Sequence, residues 1–184
     1  MKLFNSLAIT AVLAVGFGGT SHAANLVVNG GFETGDLTGW TDAGNTGWHS
    51  ITAGCGIGGS FCDSNGAVGS DSVLQQTINT VPGDVYTISF WLQNDGGGGA
   101  SIWWNGNLIA SDPGGSHGYQ QTSGNVIALG NDLLEIHLRD DPGFVQLDDV
   151  AVDGEGAVPE PGTIGMMLLG GLPALGLAVR RLRK

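Results

Sequence analysis

The sequence predicts an all-β fold, a jelly-roll β-sandwich, set between an N-terminal signal peptide and a C-terminal transmembrane helix. Three observations predict it. Between residues 24 and 152 the chain consists of short stretches of alternating polarity broken by glycine, asparagine and aspartate, with no long 3.6-residue period. Glycine supplies 34 of 184 residues, far above the usual ~7%, yet shows no collagen period, which implies many tight turns. Long apolar stretches lie at the two ends, Leu7 to Val15 and residues 163–179.

The first residues, "MKLFNSLAITAVLAVGFGGTSHA", combine Lys2, an apolar run from Leu7 to Val15, and the small residues Ser21 and Ala23 at the −3 and −1 positions of a cleavage site. This order of charge, apolar core and small residues is that of a secretory signal peptide over 1–23, with Ala24 as the mature start. The alternative is a buried N-terminal helix. Export bears on Cys55 and Cys62 in "CGIGGSFC": an oxidising compartment and a glycine-rich spacer favour a disulfide over two free thiols, and no clustered histidine suggests zinc. The same stretch contains G-x-G-x-x-G at Gly54, Gly56 and Gly59, but it opens no helix and reads as chance.

The clearest strand is "DVYTISFWLQ", with Tyr86, Ile88, Phe90 and Leu92 on one face and Val85, Thr87, Ser89 and Trp91 on the other, expected in the middle of a sheet. In "DLLEIHLR", Leu134, Ile136 and Leu138 alternate with Glu135, His137 and Arg139, one face core and the other wet. Between them, Asn105-Gly106 in "SIWWNGNLIA" signals a type I′ hairpin. Further strands are expected at "NLVVN", "WHSIT", "SVLQQTI", "YQQTS", "NVIAL" and "GFVQLDDVAV", about eight to ten in all, which a two-sheet sandwich over 24–152 would close. Residues 153–158 read as a linker.

The C-terminal segment 159–184 begins "VPEP" and ends "RRLRK". Residues 163–179 carry no charge, and 17 residues at ~1.5 Å rise span roughly 25 Å against a hydrocarbon core of ~30 Å, a thin span. Arg180, Arg181, Arg183 and Lys184 form a basic tail, residues 180–184, that the positive-inside rule keeps in the cytoplasm, while the signal peptide puts the sandwich outside. Pro173 and four glycines weaken the helix, and Pro159 and Pro161 keep the backbone before it extended.

Charge is distributed unevenly. Between residues 24 and 158, sixteen acids face the single base Arg139, a balance of about −15. Such a surface repels phosphate backbones, so a nucleic-acid partner is excluded, whereas cations complement it.

Two resemblances follow from these residues. "NLVVNGGFETGDLTGW", "VPGDVYTISFWL" and "FVQLDDVAV" resemble, in that order, the carbohydrate-binding modules of families four and nine and related galactose-binding-like sandwiches, over roughly residues 25 to 152. "VPEP", the apolar stretch and "RRLRK" resemble the PEP-CTERM sorting signal of Gram-negative bacteria that make extracellular polysaccharide. The second resemblance implies that an exosortase recognises Pro159, Glu160 and Pro161 and removes the tail after a transient stay in the inner membrane; the alternative is a plain C-terminal anchor.

The first resemblance implies a structural calcium joining the first strand to the last, with Glu33 and either Asp148 or Asp149 as ligands. Neighbouring strand residues face opposite ways, so only one of the two aspartates is expected at such a site. Sugar binding needs aromatic faces with amides or carboxylates nearby. The candidates are Trp103, Trp104, Trp91 and Tyr119, with Trp40 and Trp48 behind them and Gln120, Gln121 and Asn94 as hydrogen-bonding partners; the competing reading is that most of these aromatics are core. Trp103 and Trp104 are consecutive, so one is expected to face out where the other is buried.

Catalysis finds little support: there is no G-x-S-x-G elbow, His49, His117 and His137 have no metal spacing, and Ser116 beside His117 does not make a catalytic pair. The expected function is therefore non-enzymatic binding to extracellular polysaccharide at the cell surface or in the matrix. The alternatives are a structural, acidic, adhesin-like matrix protein without a sugar pocket, or a secreted glycoside hydrolase using two of the abundant acids.

Overall fold

The computed structural model describes residues 25–154. Ten antiparallel strands form two five-stranded sheets, and among the described residues there is no helix. The first sheet runs β1 (Thr41–Gly44), β4 (Ser72–Asn79), β9 (Asn131–Arg139), β6 (Gly99–Trp104), β7 (Asn107–Ser111). The second runs β2 (His49–Ala53), β3 (Phe61–Asn65), β10 (Val145–Gly154), β5 (Val85–Asn94), β8 (His117–Ile127). Only the β2–β3 and β6–β7 connections stay within one sheet; every other connection crosses the sandwich, the winding of a jelly roll. The predicted signal peptide and the sorting segment lie outside the described residues. β10 runs two residues beyond the expected domain end, to Gly154.

The core follows from the period-2 pattern. Leu74 and Ile78 of β4, Ile102 of β6 and Leu134, Ile136 and Leu138 of β9 meet Ile88, Phe90 and Leu92 of β5 and Val145 and Leu147 of β10, all essentially inaccessible. Burying each such side chain contributes about 1.5–3 kcal/mol, so the alternation of β5 and β9 sets which face of each sheet turns inward. β5 lies between β10 and β8 as expected, and the hairpin between β6 and β7 turns at Asn105 and Gly106 with φ of 50° and 75°, the left-handed pair of a type I′ turn.

Three elements differ from expectation. "NLVVN" is not a strand: Leu26 donates to the Val152 carbonyl at 3.0 Å, and the Asn25 side chain bridges Val150 and Val152, so the segment is laid along β10 by a few bonds only. "YQQTS" and "NVIAL" are one continuous strand, β8, because Gly124 sits mid-strand where the Ile109 side chain of β7 would press on a Cβ at 2.5 Å. β1 and β3 are short and polar, and at the β1–β2–β3 end the interior is not apolar. There His49 stands between Asp42 and Asp63, its Nδ1 3.0 Å from Asp42 and its Nε2 2.7 Å from Asp63. Asp42 belongs to one sheet and the other two to the second, so this cluster ties the sheets together.

Candidate functional site

With the inner faces of both sheets committed to the core, recognition falls to outer faces and loops. On the second sheet, register sets which side chains stand side by side. Trp91 of β5 is flanked by Asp148 of β10 and Gln121 of β8. Gln93 pairs with Gln146, and Gln146 with Ser64. On the other side of Trp91, Ser89 pairs with Ser123, and Thr87 donates to Asn125 at 2.9 Å. The result is one half-buried indole amid amides and hydroxyls: a flat apolar surface for the C–H face of a sugar ring, with donors and acceptors for its hydroxyls.

One edge of this face is built by the β2–β3 loop. Cys55 and Cys62 form a disulfide with Cα atoms 5.5 Å apart, and the loop between them folds back over β10. The Ile57 amide donates to Asp148 Oδ2 at 2.7 Å, and Tyr119 of β8 donates from its hydroxyl to the Cys55 carbonyl at 2.7 Å. Burial first, and then the negative charges of Asp148 and Asp149, push the Tyr119 phenol well above its ordinary value, so it is a neutral hydrogen-bond donor at every physiological pH.

The same loop meets the acids of the expected calcium site. Glu33 Oε1 accepts from the Ser60 and Phe61 amides at 2.8 and 2.9 Å, and these bonds hold its carboxyl below the usual range. Gly59 lies so close to Glu33 that any side chain there would collide with the carboxylate, and a Cβ on Gly58 would stand 3.0 Å from Asp149 Oδ2. Around Gly31, a Cβ would stand 3.2 Å from Asp149 Oδ1 and 3.7 Å from Asp148 Oδ1. Both aspartates therefore approach one point, where strict alternation allowed one. The reason is a bulge: β10 loses register with β5 between Asp148 and Ala151, and Asp149 takes φ of 47°. Burial raises the Asp148 pKa, the Ile57 and Asp149 amides oppose this, and the charges of Asp149 and Glu33 add to it. Among the described residues no three histidine, cysteine or acidic side chains converge into a ready-made metal cage; a calcium ion here would need backbone carbonyls as well.

Of the sequence candidates, Trp91 and Tyr119 are brought to one face, but Gln120 pairs with Leu92 and points to the opposite side of β8, so its neighbour Gln121 takes the place beside Trp91. Trp104 is 4% exposed and Trp40 8%; both are core and offer no face to a sugar. Trp103 does point outward, opposite to Trp104, but from the first sheet, where it stacks on His137 at 5.0 Å and donates to Ser101 at 2.9 Å. Asn94 is buried and donates to the Gly98 carbonyl at 2.7 Å. Trp48 is exposed in the β1–β2 loop. Gln93, Gln146, Ser89 and Ser123 were not singled out. The signal for Gln93 and Ser89 was present, since they continue the non-core face of β5; Gln146 and Ser123 depend on cross-strand register.

Comparison with known proteins then bears on this geometry. Residues 24–102 match the family model described as a carbohydrate binding domain. Residues 157–184 match the family model described as a PEP-CTERM protein-sorting motif. No curated protein matches at a comparable level. Among solved structures, the fold is similar to TmCBM61 in complex with β-1,4-galactotriose, at TM-score 0.58 and 18% identity, covering 71% of this chain and 98% of that one. It is similar also to the CBM22-1 xylan-binding domain of Xyn10C from Paenibacillus barcinonensis, at TM-score 0.56 and 16% identity over 70% of this chain and 93% of that one. A cleaved adhesin domain of Lys-gingipain from Porphyromonas gingivalis matches at TM-score 0.56 and 14% identity, covering 73% and 99%. At these identities the likeness is one of fold. Together the family and motif matches support an exported carbohydrate-binding chain with a binding-module fold and a C-terminal sorting segment. The structural neighbours include enzyme chains as well, the enzymatically active domain of bacteriophage CBA120 tailspike protein 4 and a Clostridium thermocellum xylanase, of which this chain covers 21% and 29%.

Proposed function

We propose that this chain is a non-catalytic binder of extracellular polysaccharide, and that the Trp91 face of the second sheet is where the polymer lies. The observation that carries the reading is the register of three strands, which sets one partly accessible indole between Gln121 and the buried Asp148, next to the paired Gln93 and Gln146 and beside a tyrosine held as a neutral donor. Stacking on Trp91 supplies affinity, and Gln93, Gln121 and Gln146 supply hydroxyl partners. The disulfide-closed loop limits how the polymer runs across β10. A calcium ion braced by Glu33 and Asp149 would fasten that loop to the N-terminal segment and β10; the approach of both aspartate carboxylates to Gly31, with the Glu33 carboxylate against Gly59 of the loop, supports it. An exosortase-type enzyme acting at Pro159, Glu160 and Pro161 would release the domain from the inner membrane to the cell surface or matrix, and the sorting-motif match supports this route.

The test is titration against a panel of bacterial polysaccharides. Saturable binding is expected, with Trp91→Ala weakening it by about 2 kcal/mol, roughly 30-fold, and Trp103→Ala leaving it unchanged. Equal loss in both variants, or binding indifferent to Trp91, would remove this face from the reading. The structural, adhesin-like alternative is favoured by the acidic surface and by the adhesin-domain fold likeness; it predicts polymer association without dependence on any single tryptophan.

A further inference from the structure

At the end of the sandwich where β5 and β9 finish and β10 begins, a second group of oxygens gathers, built from none of the residues around Gly31. Asp95 follows β5, Asp140 follows β9, and Asp140 to Phe144 lead into β10. Asp140 is 0% exposed, and neither of its carboxylate oxygens has a hydrogen-bond partner. Asp95 is fixed through Oδ2, which accepts from the Phe144 amide at 3.0 Å. Its Oδ1 turns toward Asp140: both Oδ1 atoms crowd the side-chain position that Gly143 leaves vacant, that of Asp140 at 3.1 Å from it. Asp140 Oδ1 also crowds the vacant position at Gly97, together with the Pro142 carbonyl oxygen at 2.5 Å. Two glycines thus make room for three oxygens to approach one another.

Among the described residues, no cationic side chain neutralises these charges. Arg139 is the sole lysine or arginine in residues 25–154, and it turns outward to Asp141 at 3.3 Å. His117 is taken by Asp112 at 3.0 Å. A buried carboxylate without a partner is strongly unfavourable. Two remedies exist, a proton shared between the acids or a bound cation. The donors are all hard oxygens, carboxylate and carbonyl, which is the chemistry of calcium rather than of zinc or copper.

We infer that Asp95, Asp140 and the Pro142 carbonyl bind a divalent cation of the calcium type, which ties the β5–β6 loop to the segment entering β10. The backbone already brings these segments together, with Asp141 donating to the Gly97 carbonyl at 3.4 Å and Asp140 to the Ala67 carbonyl at 3.0 Å, so the cation locks three loops at the Gln93–Gln146 end of the sheet.

The full chain, purified in detergent and stripped with EDTA, is melted at pH 7.5 with and without calcium chloride. Asp140→Asn, Asp95→Asn and the double variant Glu33→Gln/Asp149→Asn are measured beside it. Calcium at about 100 times its Kd is expected to raise the Tm by roughly 5–10 °C. A rise should persist in the Glu33/Asp149 variant, shrink by an equal amount in Asp140→Asn and Asp95→Asn, and vanish when either of these is combined with Glu33→Gln/Asp149→Asn. Absence of a calcium effect in the unaltered chain, its full retention in Asp140→Asn or Asp95→Asn, or its loss in the Glu33/Asp149 variant alone would overturn the inference. So would an equal stabilisation on acidifying the metal-free chain to pH 5.5 that Asp140→Asn abolishes, since a shared proton would then suffice.

Discussion

Raising the pH should loosen the sandwich at its β1–β2–β3 end, and His49 is the reason. Its side chain is 3% exposed and bridges Asp42 at 3.0 Å and Asp63 at 2.7 Å. Burial opposes its charging, but the hydrogen bonds and charges of Asp63 and Asp42 win and raise it to about 9. In the unfolded chain its ordinary value is about 6.5. A group whose folded pKa is raised contributes stability that is fully present below the unfolded value and lost as pH rises through the folded one. The window is therefore pH 6.5 to 9, and a shift of about 2.5 units corresponds to roughly 3 kcal/mol. Asp63, raised first by burial with His49 opposing, also binds its proton more tightly folded than unfolded, so its own contribution falls as pH rises from its unfolded value near 3.8 and has the same sign as that of His49. Denaturant unfolding at pH 6, 7, 8 and 9 measures the effect. The free energy should fall by about 2–3 kcal/mol across the series, and His49→Gln should be less stable at pH 6 yet nearly flat above it. A profile that is flat in the unaltered chain, or equally steep in His49→Gln, would refute the reasoning.

Two further outcomes follow. Asp132 is buried and accepts from Thr80 Oγ1, from Asn105 Nδ2 at 2.6 Å and from the Leu129 and Gly130 amides; burial acts to raise its pKa, but these bonds outweigh it and lower the value. Asp132→Ala should cost about 3 kcal/mol in denaturant unfolding, with a loss under 1 kcal/mol counting against the hub. The mass of the protein recovered from its native host should show a start at Ala24, two hydrogens fewer from the Cys55–Cys62 bond, and an end close to Pro159; a mature chain retaining Arg180 to Lys184 would refute processing of the tail.

What the sequence made legible is what local chemistry dictates. The alternation of β5 and β9 and the Asn105-Gly106 turn depend on neighbours two or three residues away, and all three are found as expected. Less legible were elements whose inward positions are polar. β3 buries Asp63 and Asn65, which makes sense only once His49 faces them from β2. Alternation also fails at Asp149, because a bulge has no period, and both aspartates reach Gly31 for that reason. The partition of Trp103 and Trp104 to opposite faces could be read from the chain, but the choice of Trp91 over Trp103 as the surface surrounded by amides could not. It depends on which strands flank β5, and Asp148 lies 57 residues along the chain from Trp91.

The acids of this domain help to define the polymer it would bind. Several are committed inside the fold: Asp42, Asp63 and Asp112 face histidines, Asp132 and Asp148 are capped by amides or hydroxyls, and Asp140 is sealed in. Asp148, the one acid beside Trp91, is 1% exposed beneath the disulfide loop, so what the Trp91 face offers a ligand around the indole is amides and hydroxyls. Around it the domain carries about fifteen net negative charges before any bound cation, so an anionic polymer would be repelled at long range while the contacts at Trp91 stay short-ranged. A neutral glycan is the consistent occupant. Its affinity should change by less than about 3-fold between 50 and 500 mM sodium chloride, since stacking and uncharged hydrogen bonds are barely screened. If binding instead requires divalent cations and collapses with salt while ignoring Trp91→Ala, the polymer is held by bridges to the acidic surface, and the domain works as a cation-crosslinked matrix component.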